Sequence, residues 1–299
     1  MSSVYPALLT PRIVTLAAIF PPEGRAAFAA LYPAQAGKLT HALTDHPLLT
    51  LDALATLAET LPGDSVEWNP GALPIGIDPV DVPRGALGVG ETIRHIDSSA
   101  SWVVLKRIEQ VPAYAALLRE ALGELAAIVT PRTGAMHQLE AFVFISSPGS
   151  VTPFHFDPEH NILLQLRGTK TMTVFPGGDE RLLSAEAQEA FHLGQHHRNL
   201  PWDDSFTALG KTVTLNAGEA IHVPVKTPHW VKNGPVPSIS LSITWRSEWS
   251  YAEADARAFN RVLRGIGLRP QRPRAFPARN RGKALAWRVI RRLGVSRPG

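Results

Sequence analysis

A change of hydrophobic period near His137 constrains this 299-residue chain more than any other feature. From there to Trp245 the apolar residues fall in short runs, and Gly, Pro or Asn separates most of these runs. Successive side chains on a strand point to opposite faces, so short or alternating apolar runs predict β-strands. Many short strands with turn residues between them are typical of an antiparallel barrel or sandwich. The predicted strands cover 139–146, 162–166, 171–175, 212–215, 220–225 and 238–245.

Helical spacing appears on both sides of this segment and once inside it. Pro112 suits the first turn of one predicted helix, and Ser250 with Glu253 suggests a capping box at the start of another. The predicted helices cover 51–61, 112–128, 184–191 and 250–266, with a basic amphipathic segment over 283–293. We therefore expect a helical N-terminal region over 1–135, a β core over 136–249 and basic C-terminal helices and tail over 250–299.

The absence of cysteine narrows the chemistry. Disulfides, thiolate nucleophiles, Cys-type zinc sites and iron–sulfur clusters are excluded, so any metal site must use His, Asp or Glu. The N-terminus has no basic region leading into a long apolar stretch, and its longest apolar segment, 13–20, is too short to span a bilayer. We expect no transmembrane segment and a cytoplasmic location.

The net charge of +4 conceals a strong asymmetry. From Tyr251 onward the chain has thirteen Lys and Arg but two acidic residues, whereas the rest has 17 basic and 24 acidic residues. The basic tail predicts binding to nucleic acid or another acidic partner. The alternative is that the C-terminal helices pack on the core or on a second subunit, with arginines in water. We favour packing for 250–266 and leave both interpretations open for the linker and 283–293. The amphipathic end over 283–293 also fits an anionic membrane surface.

The tripeptide His-Phe-Asp at 155–157 is a candidate metal motif. On a strand, residues two apart share one side, so His155 and Asp157 could reach one ion. A second histidine would complete a facial triad that leaves coordination positions open, as suits non-haem Fe(II). His222 and His229 are the downstream candidates.

Other histidines have ordinary explanations. A second His-x-Asp tripeptide at 95–97 precedes the β segment and has no companion residues, which favours a loop or strand-edge pair. His222 fits a buried core position better than a ligand. His192, His196 and His197 lie in a long polar insert over 177–211, where a solvated loop is favoured over a second metal site.

Two stretches, TPFHFDPEHNILLQLRGTKTMTVFP and GEAIHVPVKTPHWV, resemble the cupin-like JmjC family of Fe(II)/2-oxoglutarate oxygenases, and are especially similar to the family's asparaginyl hydroxylase. The resemblance covers about 138–246. It includes the Thr-Pro before His-x-Asp, the Asn four residues after the aspartate and the Gly-x-Lys turn. It implies a mainly β fold with helical additions, whose core is a double-stranded β-helix (the jelly roll of cupin and JmjC proteins).

The resemblance also assigns the metal ligands. By it, His155, Asp157 and His229 bind Fe(II), and His229 is selected because it follows Pro224 by five residues.

The same resemblance implies a 2-oxoglutarate site. Lys170 would pair with the distal carboxylate of the cosubstrate, and Thr152 and Asn161 would hydrogen-bond to it. Ser242 falls where the family often has a polar residue near the cosubstrate. A buried lysine needs an anionic partner, which agrees with the role of Lys170.

The implied activity couples C–H hydroxylation to the decarboxylation of 2-oxoglutarate to succinate and CO2. The substrate would be a protein or peptide side chain or a small molecule, and N-demethylation uses the same step on an N-methyl group. JmjC relatives often dimerise through C-terminal helices, so a homodimer is expected. Two alternatives stay open: a non-oxidative metal-binding cupin (an isomerase or ligand-binding module), and a protein that acts through its basic tail. Truncation after Trp249 should separate the tail-driven alternative from an oxygenase.

Overall fold

Two antiparallel β-sheets form the centre of the protein. The structure, a computed structural model, describes residues 18–70 and 88–294, so most of the 13–20 segment and the last five residues lie outside it. The strands are β1 Gly37–Thr40, β2 Val66–Pro70, β3 Ser101–Lys106, β4 Met136–Ser146, β5 Val151–His155, β6 His160–Arg167, β7 Lys170–Val174, β8 Lys211–Leu215, β9 Glu219–Val223, β10 His229–Asn233 and β11 Ser238–Ser247.

The two sheets face each other as a jelly roll. The larger has the strand order β1-β9-β6-β11-β4-β3-β2, and the smaller has the order β5-β10-β7-β8. Leu163 and Ile221 of the larger sheet pack against Met172, Leu215 and Val231 of the smaller one in a buried cluster between them. The predicted fold class, a double-stranded β-helix with helical additions, is confirmed.

Seven α-helices in the described ranges surround the sheets, and those of the N-terminal region cover the outer face of the larger sheet. The seven are α1 Pro22–Leu31, α2 Leu51–Thr60, α3 Val89–Arg94, α4 Pro112–Thr133, α5 Ala185–Phe191, α6 Glu248–Gly265 and α7 Arg281–Arg292. Phe28 of α1, Leu54 of α2 and Leu122 of α4 join Ile162 and Ile243 of the sheet in one core cluster. As predicted, α4 begins at Pro112, whose missing N–H costs nothing in a first turn.

The central strands β6 and β11 are covered on both faces. Along β11 the apolar residues, such as Leu241 and Ile243, face the helices. The residues between them are Ser238, Ser240 and Ser242, and they are just as buried. A small polar row therefore lines the space between the sheets, where an alternating pattern ordinarily puts polar residues in water.

The N-terminal region is less helical than predicted. The strands β1, β2 and β3 all come from the segment 1–135 and extend both edges of the larger sheet. Strand β1 has four residues and β2 begins directly after a 3₁₀ turn at Gly63–Ser65, so neither shows a clear alternation. Strands β5 and β10 were also missed, because each is short and begins or ends beside a proline-containing turn.

Helix α6 begins before the predicted start. Its capping box is formed by Ser247 and Ser250, since the Ser250 N–H donates to the Ser247 hydroxyl at 3.1 Å and the Ser247 N–H donates to the Ser250 hydroxyl at 2.8 Å. The predicted partner, Glu253, is instead buried and bonded to Lys226.

The C-terminal helices pack on each other and on the polar insert. Helix α7 lies against α6 and buries Ala284 and Trp287. Helix α6 also contacts α5, where Arg264 pairs with Glu189 at 2.7 Å. No helix in the described ranges is both long and apolar enough to cross a membrane.

Candidate metal and cosubstrate site

His155, Asp157 and His229 come together at one end of the smaller sheet. His155 ends β5 and His229 begins β10, and the two residues are paired across these antiparallel strands. The Asp157 Oδ2 lies 4.0 Å from the His155 Nε2 and 3.8 Å from the His229 Nε2, and the two imidazole centroids are 4.2 Å apart. Within residues 18–70 and 88–294, no other group of three such side chains is close enough to share a metal ion.

Backbone carbonyls orient both imidazoles. The His155 Nδ1 lies 2.7 Å from the Pro153 carbonyl oxygen, and the His229 Nδ1 lies 2.9 Å from the Thr227 carbonyl oxygen. A carbonyl only accepts, so each Nδ1 carries the proton and each Nε2 keeps its lone pair. Both lone pairs therefore lie on the nitrogens that approach Asp157, which is the usual arrangement around a metal ion.

The charge states are those that a divalent metal requires. Burial, with the neighbouring His229, lowers the pKa of His155 to about 4, so this imidazole is neutral near pH 7. Burial alone would raise the pKa of Asp157, but Arg198 and the two histidines outweigh it and lower that pKa to about 2. A neutral imidazole and an ionised carboxylate bind metal without first losing a proton.

Lys170 is buried between the sheets without an acidic partner. It begins β7 on the same face as Met172, after a turn in which Gly168 has φ +70° and an added Cβ would lie 2.3 Å from the Pro237 carbonyl oxygen. Its ammonium lies 5.6 Å from the Phe144 ring centroid, and no carboxylate in the described part of the chain pairs with it. Burial lowers its pKa to about 7.

Asn161 and Ser242 form a hydrogen-bonded chain that ends on the metal motif. The Ser242 hydroxyl donates to the Asn161 Oδ1 at 2.9 Å, and the Asn161 Nδ2 donates to the Asp157 Oδ2 at 3.3 Å. Both side chains lie on adjacent strands of the larger sheet, where Asn161 is paired with Thr244. The Asn161 amide thus fixes the orientation of the Asp157 carboxylate. It also faces the space between the sheets.

A cavity of about 420 Å³ opens beside these residues. Its lining includes Thr152, His155, Asp157, Asn161 and Ser242, so five of the seven predicted site residues share it. The remaining lining residues are Glu67, Trp102, Val104, Lys106, Glu140, Phe142, Phe144, Pro153, Glu159, Arg198, Asn199 and Thr244. His229 adjoins the cavity through its contact with Asp157, and Lys170 adjoins it through Phe144.

Sequence reasoning missed Arg198 and Glu159. Arg198 comes from the polar insert and donates to the Asp157 Oδ1 at 2.9 Å. The insert reaches the site because residues 198–200 pair with the end of β5, through the Leu200 N–H to the Phe154 carbonyl at 2.8 Å. Burial and the charge of Asp157 raise the pKa of Glu159 to about 7. Glu159 could have been found from the sequence, because it follows the His-x-Asp motif by two residues. Nothing in the sequence around Arg198 indicates that it reaches the site.

A buried ion pair supports the loop that carries His229. Lys226 has φ +59° in the β9–β10 loop, and its ammonium bonds to Glu253 of α6. The Lys226 N–H donates to the Asp157 carbonyl at 2.7 Å. Burial alone would raise the pKa of Glu253, but Lys226 and Arg257 hold it well below its usual value. Helix α6 thus fixes the loop that bonds to the Asp157 backbone and leads to His229.

The remaining histidines lie apart from the three-residue cluster. His222 is a fully buried core residue whose Nδ1 donates to the Gln35 carbonyl at 2.9 Å. His95 caps the end of α3, and Asp97 lies in the turn that follows. His192, in the insert, contacts Phe191, and no metal cluster of described residues includes it.

The chain matches known proteins mainly through this β core. The model of the family described as "Cupin-like domain" matches residues 97–250. The Jumonji C domain-containing protein 5 of Drosophila melanogaster is 29% identical over 111 residues, which are 34% of this chain and 26% of that protein. The lysine-specific demethylase JMJ30 of Arabidopsis thaliana is 30% identical over 105 residues, 33% of this chain and 24% of that protein. The matched segments therefore span about a quarter of these relatives.

Among solved structures, Escherichia coli YcfD is similar over 90% of this chain and 67% of its own, with 17% identity and a TM-score of 0.49. A second YcfD structure, described as a ribosomal oxygenase in complex with cobalt and 2-oxoglutarate, is similar over 91% of this chain and 67% of its own. It has 16% identity and a TM-score of 0.47.

Proposed function

Because the chain belongs to the cupin-like domain family, and its β core is similar to Jumonji C domain proteins, we propose that it is an Fe(II)- and 2-oxoglutarate-dependent oxygenase. His155, Asp157 and His229 would hold the metal through two imidazole nitrogens and one carboxylate. When bound, the iron would let O2 oxidise both 2-oxoglutarate and the substrate, so that one oxygen atom enters succinate, with release of CO2, and the other enters a substrate C–H bond.

The observation that carries the cosubstrate assignment is the isolated buried ammonium of Lys170. A buried charge without a partner is costly, and a carboxylate from a ligand would remove the cost. Thr152, Asn161 and Ser242 supply a hydroxyl, an amide and a second hydroxyl to the same cavity, each able to hydrogen-bond a dicarboxylate.

We propose hydroxylation of a protein or peptide side chain as the reaction, with N-demethylation as the other outcome of the same step. Four carboxylates line the cavity, and Glu67, Asp157 and Glu159 are paired with Lys106, Arg198 and Arg246. Glu140 forms no ion pair within the described ranges, which favours a substrate that brings a positive charge. A Glu140→Gln variant should therefore lose discrimination between cationic and neutral peptides, while it keeps turnover of 2-oxoglutarate without substrate.

Succinate formation from 2-oxoglutarate with Fe(II), ascorbate and O2 tests the proposed activity. It should vanish in His155→Ala, and in Lys170→Met it should require far more 2-oxoglutarate. The matched control is His95→Ala, since His95 belongs to the other His-x-Asp tripeptide and is exposed. If wild type forms no succinate and metal-loaded protein also fails to bind 2-oxoglutarate without O2, the proposal is wrong and a non-oxidative cupin replaces it.

A homodimer through the C-terminal helices and a cytoplasmic location stay predictions. Sedimentation of the full chain tests the first, and imaging of a tagged protein in its own cells tests the second.

A further inference from the structure

A second large cavity lies between the C-terminal helices, away from the residues proposed to bind iron. It has a volume of about 620 Å³, and its walls come from the first turns of α6, from His137 of β4 and from α7 with the residue preceding its N-cap. Four arginines line it: Arg279, Arg281, Arg288 and Arg291. We refer to this space as the arginine cleft.

The arginines outnumber the acids that could neutralise them. Glu248 and Asp255 are the carboxylates in the lining, and Asp255 is already bound by Arg288 at 2.6 Å. The other three guanidinium groups form no ion pair with any residue in the described ranges, so the cleft is electropositive. A concave site with low-dielectric walls concentrates such a field and attracts anions.

The backbone around the cleft is held in place before any ligand binds. The Trp249 indole N–H donates to the Ala278 carbonyl at 2.8 Å, which ties the preceding loop to α6. The Asn280 side chain bonds both the N–H and the carbonyl of Arg274 at 2.9 Å. Trp287 is buried against α6 and fixes the rotation of α7. The arginines of the loop and of the helix therefore converge without a folding step.

We propose that the arginine cleft binds the phosphodiester backbone of single-stranded RNA. Several guanidinium groups in one groove suit successive phosphates, and the half-buried Trp249 ring beside them suits a stacked base. Glu248 favours RNA over DNA, because a carboxylate repels phosphate but accepts a hydrogen bond from a ribose 2′-hydroxyl.

The concave shape of the arginine cleft favours RNA over a membrane surface as its partner. The exposed apolar residues Leu285, Val289 and Leu293 do not line the cleft, and their exposures are 65%, 49% and 71%. A flat bilayer could touch that stripe but could not enter a groove between two helices. The proposal does not rest on the oxygenase activity, since no residue of the iron cluster lines the cleft.

The test is a fluorescence anisotropy titration of a labelled RNA of about 12 nucleotides, of mixed sequence, with the full chain. The cleft variant is Arg281→Ala with Arg291→Ala. The matched control is Arg269→Ala with Arg292→Ala, which removes the same charge from exposed positions outside the cleft lining. Titrations between about 50 and 200 mM salt give the number of phosphate contacts from the slope of log affinity.

We expect the cleft variant to lose about tenfold or more in affinity, and its salt slope to fall by about 1.4, since each phosphate contact on a single strand contributes about 0.7. The control variant should lose about twofold at most, and DNA of the same sequence should bind more weakly than RNA. Succinate formation and the thermal midpoint should be unchanged in both variants. Equal losses in the two variants would show diffuse attraction to the basic tail and overturn the proposal. Binding to phosphatidylserine vesicles without binding to RNA would also overturn it, in favour of a membrane surface.

Discussion

Two buried lysines, Lys170 and Lys226, allow a matched test of the cosubstrate site, since the same substitution should change stability in opposite directions. The pKa of Lys170 is lowered from 10.5 to about 7 by burial, which corresponds to about 5 kcal/mol of unfavourable free energy for the charged form. The folded-state pKa lies below the unfolded value, so the cost is complete below about pH 7 and is relieved as pH rises toward 10.5. Local relaxation reduces it, and we expect Lys170→Met to stabilise the free protein by about 2 kcal/mol at pH 6.5.

Burial lowers the pKa of Lys226 to about 7 as well, but Lys226 has a carboxylate partner in Glu253. Lys226→Met should therefore destabilise the protein by about 1–3 kcal/mol, because it leaves the buried Glu253 with Arg257 as its remaining ion-pair partner. Urea unfolding of both variants and wild type, without metal or 2-oxoglutarate, gives the two free energies. For a chain of this size, a gain of about 2 kcal/mol in Lys170→Met should also raise the thermal midpoint by about 4 °C. If Lys170→Met destabilised the protein as much as Lys226→Met, Lys170 would have a partner within the folded chain.

The same argument predicts how 2-oxoglutarate affinity depends on pH. A dicarboxylate that pairs with Lys170 restores its proton, so binding in the Co(II)-loaded protein should take up a proton above about pH 7. The dissociation constant should then rise about tenfold for each pH unit between 8 and 9, and calorimetry in buffers of different ionisation enthalpy measures the uptake directly. A dissociation constant that is constant over this range would refute the pairing of Lys170 with the ligand.

The free energy of unfolding should fall as pH decreases from about 6.5 to 4. Burial lowers the pKa of His155 and His222 to about 4, so in this pH range the unfolded chain binds protons that the folded chain does not. Each histidine accounts for about 3 kcal/mol, and a urea midpoint that stays constant over this range would contradict it. Arg198→Ala should change the free energy of unfolding by less than about 1 kcal/mol, because the Arg198 side chain is half exposed. The same substitution should tighten Co(II) binding roughly fivefold, because it removes a positive charge that repels the metal. Unchanged Co(II) affinity in a calorimetric titration would refute that role. Ser247→Ala should cost about 1–2 kcal/mol, because its hydroxyl caps α6 and bonds to the His160 Nε2 at 2.9 Å, and a thermal midpoint equal to that of wild type would exclude it.

The β core and the metal motif could be predicted because their information is local. His155 and Asp157 are two residues apart at the end of β5, and Lys170 comes two residues after Gly168, where the turn requires glycine. Arg198 could not be found this way, because it reaches Asp157 only after residues 198–200 pair with β5. The burial of Ser238 and Ser240 also depends on tertiary structure. An alternating strand ordinarily has a solvent face, but helices cover one side of β11 and the smaller sheet encloses the other.

The position of α6 changes how the basic tail can be separated from the core. The sequence alone predicts that truncation after Trp249 separates an oxygenase from its basic tail. Glu253 lies beyond that point, however, and it holds Lys226 in the loop that leads to His229. Removing α6 would leave that ammonium buried and unpaired, so lost turnover would follow even if the tail had no part in catalysis. The first turns of α6 therefore belong to the core, and only changes confined to the arginine cleft can separate the two activities.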